Sequence, residues 1–428
     1  MTNNNYEIDS QPNPPDMSVS GSIYHLKWQD RGIQMRVERF YTDRHHNVEA
    51  EITVEVLGSP EGEGLITRGR QKLLSTFRTL IEDAVDFGGE LNDKDDWKIM
   101  FKQMSSRVLD RYRMGEPIIN LAKMERQTPK PYLLSPFIYE GAISLVYGKG
   151  GVGKSLFCLY LAVLLQMGKD DGRLTAKKAN VVYLDYEADP DESKYRADSI
   201  IHGLEENPDD VNIHYRYCSV PLKSDLDAVL RYCLQVEADM VLIDSAIPAC
   251  GGDVTDAGNV GDFFNAVRSL GSSENKIATL IIGHTTKAQN NSDGPFGSVN
   301  WRNQPRTVWE FKSNQVVNQD EIDVSLVHRK INLGKLLAPL AFRITFGQQQ
   351  VNFEELDARR HSTFRADMPI GDQIEVLLED HGTLESEQIG QRIQESTGAN
   401  HSDVIPEVLI RDARFVEVSE NRWELNAI

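Results

Sequence analysis

Residues Gly148-Lys149-Gly150-Gly151-Val152-Gly153-Lys154-Ser155 fit G-x-x-x-x-G-K-[ST] at every fixed position. The chemistry such a loop performs is phosphate binding. Glycines let a tight turn aim its backbone N–H groups at phosphate oxygens with no Cβ in the way. Lys154 then reaches the β and γ phosphates of a nucleotide, and the Ser155 hydroxyl can ligate Mg²⁺. The implied cofactors are ATP and Mg²⁺. Three further polar residues stand at the ends of apolar runs. Glu187 closes Val181 to Tyr186, Asp244 closes Met240 to Ile243, and His284 closes Ile281 to Gly283. Asp244 has the form of a Walker B aspartate that holds Mg²⁺. Ser245 follows it in place of a glutamate, so a general base must come from elsewhere, and Glu187 is the candidate that can orient an attacking water.

The elements around these residues read as alternating strands and helices. Strands are expected at Ile143 to Tyr147, Asn180 to Tyr186, Met240 to Asp244, Thr279 to Gly283, Arg306 to Phe311 and Glu321 to Val327. Helical periodicity covers Leu156 to Gln166, Leu226 to Val236 and Val260 to Leu270. The first helix presents its N-terminus, with Leu156 in the first turn, to the phosphates. This alternation predicts an α/β doubly wound sheet, in which ligands sit at the carboxyl ends of the strands. Glu187, Asp244 and His284 would then converge on one γ-phosphate.

The order of motifs resembles the RecA-like P-loop ATPases, and within them the RepA-type hexameric replicative helicases of plasmids. The residues that carry the resemblance are Tyr183-Leu184-Asp185-Tyr186-Glu187, His284-Thr285-Thr286-Lys287, the turn Gly297-Ser298, and Arg306-Thr307-Val308-Trp309. It covers roughly residues 135–350. It implies that Lys154 and Ser155 bind phosphate and Mg²⁺, that Glu187 is the catalytic base, Asp244 the Walker B acid and His284 the γ-phosphate sensor. It further implies Arg306 as an arginine finger inserted into a neighbouring subunit's site, with Arg302 as the alternative. Arg329 and Lys330 would reach the nucleotide from a neighbour, self-assembly would give a hexamer, and single-stranded DNA would be the track. The loop also fits the deviant Walker A of the ParA/MinD class, with Lys149 as its signature lysine. That class starts at its phosphate loop near the N-terminus, whereas some 140 residues precede it here.

At 428 residues the chain is long enough for two or three domains. The reading is a disordered tail over 1–20, an N-terminal α+β domain over 21–125, the RecA-like domain over 126–355, and a winged-helix-like domain over 365–428. No run reaches membrane-span length, and the N-terminus is polar and proline-dotted, unlike a signal peptide. The four cysteines have no paired spacing and read as buried thiols of a reducing cytoplasm. A net charge of −19 argues against a general nucleic-acid coat.

Nucleic-acid contact is expected at two polar, glycine-bearing segments, Ala249 to Asn259 and Thr286 to Gln304. There Lys287 and Arg302 supply charge, and Phe296 and Trp301 supply stacking. The arginines of the N-terminal domain, from Arg31 to Arg78, form either a basic face or an ordinary solvated surface. Residues 365–428 carry five basic against fourteen acidic residues. Phosphate contacts need positive charge, so protein docking is expected there before duplex reading. The competing reading for the whole chain is an ATP-gated scaffold that recruits protein partners without separating strands.

Overall fold

The computed structural model describes residues 11–59, 63–88, 92–115, 118–126, 128–271, 276–285, 294–361 and 363–426. They fall into two units. The first comprises residues 1–128 with 225–234, the second residues 129–224, 235–271 and 276–428.

In the first unit β1 (Asp16–Ser20), β2 (Ile23–Trp28), β3 (Ile33–Thr42), β4 (Val48–Val56) and β5 (Leu65–Lys72) form an antiparallel meander in chain order. Alternation in β4 sends Val48, Ala50, Ile52 and Val54 to one face. On that face pack α1 (Arg78–Phe87) and α2 (Lys94–Met114), with Trp97, Phe101 and Met104 buried against Trp28 and Met35. One expectation needs correction, and one open alternative is decided. Residues 16–20, read as part of a disordered tail, are β1, turned onto β2 through Gly21 at φ 60°; residues 1–10 lie outside the described residues. The arginines do not make a basic face. Arg39 and Arg68 pair with Glu51, Arg70 with Glu49, Lys72 with Asp43 and Arg36 with Glu38, each within 4 Å.

The second unit opens with β6 (Tyr132–Ser135) and β7 (Ile138–Tyr139), which with β9 (Thr175–Ala176) make a small sheet. Between them come β8 (Ile143–Gly148) and α3 (Lys154–Met167). There follow β10 (Val181–Asp185), α4 (Pro190–Gly203), β11 (His214–Tyr217), β12 (Met240–Asp244), α6 (Ala246–Cys250), α7 (Ala257–Leu270) and β13 (Ala278–His284); between β11 and β12 the chain forms α5 (Leu222–Gln235), whose residues 225–234 belong to the first unit. The core closes with α8 (Asn300–Asn303), β14 (Thr307–Gln315), β15 (Glu321–Ile331), β16 (Leu340–Phe346) and β17 (Val351–Leu356). One nine-stranded sheet results, ordered β11-β10-β12-β13-β8-β14-β15-β16-β17. Strands β11 to β14 in that order run parallel, and β15 to β17 continue antiparallel. The sheet is therefore mixed, which amends the doubly wound expectation. The parallel strands β10, β12 and β13 are buried on both faces, which is why they read as unbroken apolar runs.

Beyond the sheet stand α9 (Ile370–His381), β18 (Leu384–Glu385), α10 (Ser386–Thr397), α11 (Ile405–Arg411), β19 (Phe415–Ser419) and β20 (Arg422–Leu425). The three strands pair as β18-β20-β19 around a small core that includes Ile374, Ile389, Leu409 and Trp423. Asp367, just before α9, accepts hydrogen bonds from Lys312 of β14 at 2.7 and 2.8 Å and from Arg329 of β15 at 3.3 Å.

Candidate functional site

Every parallel strand of the second unit delivers its last residue to the same edge. Register places Asp185 beside Asp244, Asp244 beside Ile282, and His284 beside Gly148. The loop from Lys149 to Gly153 leaves β8 at that edge and enters α3. Two of its glycines are required by the backbone. Gly153 has φ +92°, and a Cβ on Gly148 would stand 2.4 Å from the Phe311 carbonyl oxygen of the adjoining strand. A cleft of about 700 Å³ opens here, lined by Gly151 to Leu156, Glu187, Asp244 and His284, with Tyr195 and Arg196 of α4 and Phe346 of β16.

Lys154 is 4% exposed, and its Nζ donates to the Lys149 carbonyl at 2.6 Å. Burial lowers its affinity for a proton, an effect that Asp244 and Glu187 partly offset. An anion arriving in the cleft would therefore meet a cation held among backbone N–H donors. Asp244 is 2% exposed. Burial pushes its carboxyl up to about 6, and repulsion from Glu187 and Asp185 adds to this, against hydrogen bonds from Ser155 and Tyr183. The Tyr183 hydroxyl donates to Asp244 Oδ2 at 3.1 Å, while Oδ1 is buried with no hydrogen-bond partner. A carboxylate oxygen left unpaired beside the Ser155 hydroxyl fits Mg²⁺, which takes hard oxygen ligands. With nucleotide bound, that ion would bridge and neutralise phosphate charge.

Glu187 lines the same cleft. Ser245 Oγ donates to its Oε1, and His284 Nε2 is 3.5 Å from the same oxygen. Hydrogen bonding from His284 first, and from Ser245 second, holds the Glu187 carboxyl below its ordinary range despite partial burial. It is thus ionised at neutral pH. Three supporting residues were not assigned roles by sequence reasoning. Asp185 is fully buried; its Oδ1 accepts from the Glu187 and Ala188 N–H groups, both at 2.9 Å, and its Oδ2 from Ser193 Oγ at 2.7 Å and Tyr215 OH at 3.3 Å. It fixes the turn that aims Glu187. Ser245 and Tyr183 orient Glu187 and Asp244 respectively. Their one sequence signal is position at the ends of the same strands.

The remaining candidates lie elsewhere. Arg306 precedes β14 at the edge opposite the phosphate loop: its N–H bonds the Ile143 carbonyl at the start of β8, and Thr307 pairs with Ser144. Lys130 and Lys330 each feel its charge, and Lys330 also feels that of Arg302. Lys330 Nζ is bound by the Asn303 and Pro305 carbonyls, both at 2.6 Å. Among the described residues no ion pair joins Lys130, Arg302, Arg306 or Lys330 to a carboxylate. Arg329 is separate from this group, paired with Glu310 and Asp367. None of Arg302, Arg306, Arg329 and Lys330 lines the cleft of its own chain.

The stacking surface expected at Trp301 is absent. Trp301 is 2% exposed, packs on Phe263 and Phe264, and donates Nε1–H to the Val254 carbonyl at 3.1 Å. Phe296 is part-exposed. Thr286, Lys287 and the segment to residue 293 lie outside the described residues. No helix among the described residues is long and apolar enough to cross a membrane.

A family model described as an AAA domain matches residues 115–290. Those residues hold the phosphate loop, Glu187, Asp244 and His284, and the match marks them as an ATPase domain of the P-loop type, a class that binds nucleotide, usually with Mg²⁺. A search of curated proteins found no match.

Proposed function

We propose that the protein is a RecA-like ATPase that assembles with copies of itself, hydrolyses ATP between neighbouring subunits, and couples hydrolysis to movement along single-stranded DNA. The observation that carries this reading is the distribution of charge on the parallel sheet. One edge holds the phosphate loop, an unpaired Asp244 oxygen and an ionised Glu187, and among the described residues neither Arg302 nor Arg306 of the same chain lines it. The other holds Arg302, Arg306, Lys130 and Lys330 without carboxylate partners, in a chain of net charge −19. Such a cluster calls for an anion, and the phosphates bound by a second copy supply one. A head-to-tail contact of this kind generates a ring or a helical filament. Arg306 would offset transition-state charge, a contribution worth about 10³–10⁵ in rate for arginine fingers.

The terminal module supports a docking role. Its helix–strand–helix–helix–hairpin order is that of a winged helix. Yet α11 carries Glu407 paired to Arg411 at 2.6 Å, with Asp403 and Asp412 at its ends. That acidity favours a protein partner over duplex DNA, and it is also what the scaffold reading would use.

The test is ATP hydrolysis with and without single-stranded DNA for wild type, Glu187→Gln, Arg306→Ala and an equimolar mixture of the two variants. Each variant alone should be nearly inactive. The mixture should recover activity, because some interfaces combine an intact Glu187 with an intact Arg306. A mixture as inactive as its components would refute the shared site. A rate indifferent to DNA would refute the motor and leave the scaffold.

A further inference from the structure

The first unit holds a groove that the ATPase reading does not use. It runs between α1 and α2, has a volume of about 780 Å³, and has Leu73, Phe77 and Ile81 as its floor. Leu74, at its mouth, is 69% exposed. Lys94, Lys98 and Lys102 stand along one wall, all on α2, and the lining also includes Arg78 and Glu82 of α1, paired with each other at 2.9 Å. Their spacing of four residues puts them on one side of the helix, a row of roughly 12 Å. Lys98 pairs with Asp95 at 2.8 Å. Lys94 and Lys102 have no carboxylate partner among the described residues, in contrast to the paired arginines on the outer face of the same sheet.

We propose that this groove binds an acidic amphipathic helix of a partner protein, lying along α2 with its apolar stripe on the exposed Leu74 and its carboxylates facing the lysine row. Two features select that occupant. The exposed Leu74 beside a row of lysines complements a helix that repeats acids every four residues beside a leucine stripe, the helix-in-groove mode. A nucleic-acid strand would find charge here but no stacking platform, because Phe77 is 4% exposed and its ring lies against Phe101 at 5.3 Å.

The full-length protein is titrated by fluorescence anisotropy against a labelled helical peptide of about 14 residues, ~20 Å long, with Glu every fourth position and a leucine stripe. A charge-reversed peptide and an oligothymidylate serve as competing probes. The acidic peptide should bind, weaken as salt rises, and lose at least tenfold in affinity on Lys98→Glu/Lys102→Glu and on Leu74→Asp. These exposed positions lie outside the nucleotide site, so ATP hydrolysis and the thermal melt should stay as in wild type, which separates this proposal from the ATPase reading. Failure of the acidic peptide to bind, equal binding of the reversed peptide, or displacement by oligothymidylate would each overturn it.

Discussion

Replacing Asp185 with alanine should slow hydrolysis although Asp185 does not line the cleft. Its carboxylate makes three hydrogen bonds shorter than 3.0 Å, to two backbone N–H groups and the Ser193 hydroxyl, in a fully buried position. A hydrogen bond to a charged group contributes about 1.5–3 kcal/mol, and buried donors left without acceptors add cost. Allowing for non-additivity, Asp185→Ala should lose about 4 kcal/mol, seen as a fall of roughly 10 °C in Tm. Kinetically, the Glu187 turn is freed while Ser245 and His284 still engage its side chain. The loss of kcat should thus be about 10–100-fold, short of the full range of about 10²–10⁴ for removing a general base. Asp185→Asn retains an oxygen for both N–H groups and should recover most of the rate. The assay is phosphate release at saturating ATP and Mg²⁺, beside the affinity for a fluorescent ATP analogue, which should change little. A kcat within twofold of wild type, despite the lower Tm, would refute the role given to Asp185. Equal rates for the Asn and Ala variants would refute the geometric argument for it.

Two further outcomes follow from buried side chains. His328 stacks on Trp309 at 4.0 Å, accepts the Leu337 N–H on Nδ1 and lies 2.9 Å from Thr307 Oγ1. Burial drives its pKa down to about 4 from 6.5. The unfolded chain therefore binds the extra proton between those values, so this contribution is full above pH 6.5 and is lost as pH falls toward 4. Urea melts at pH 7.5 and pH 5 should show wild type losing about 2 kcal/mol more than His328→Gln; equal losses would contradict the assignment. Trp301→Ala should destabilise by about 3–5 kcal/mol, as for other buried aromatics. In the fraction that stays folded, its affinity for single-stranded DNA should stay within twofold of wild type by anisotropy, and a larger loss would restore a stacking role to that residue.

How much was legible in the sequence differs by the kind of constraint. The phosphate loop needs particular residues at consecutive positions, so Gly148 to Ser155 announce themselves. Strands buried on both faces are equally plain: Met240–Asp244 matches its expected bounds, β8 runs one residue longer at its end, and β13 one residue longer at each end. Edge strands are not. His214–Tyr217 and Leu65–Lys72 pair on one side and carry polar side chains, so no apolar run marks them. Trp301 misleads because its neighbours in sequence are polar, whereas its neighbours in space are Phe263 and Phe264 on α7. Asp185 is hidden for another reason. Strand-end acids look alike in sequence, and only the fold separates the one that faces the cleft from the one that braces the turn. Lys130 and Lys330 are 200 positions apart, and the pairing of β8 with β14, and of β14 with β15, is what gathers them beside Arg306.

The path of β14 bears on how successive sites would communicate. The strand starts beside Arg306 and pairs with β8 residue by residue from Ser144 to Gly148, where Phe311 stands beside the root of the phosphate loop, close enough to leave no room for a Cβ on Gly148. These four steps span about 13 Å of hydrogen-bonded strand; they contain no glycine, and the pairing with β8 runs unbroken although the pairing with β15 shifts register between Val308 and Trp309. In an assembly of the proposed kind, the strand would act as a push-rod between two catalytic centres. The nucleotide a subunit holds and the finger it lends would advance or withdraw together, so phosphate loss at one interface would be felt at the next as a change of position, without a separate relay.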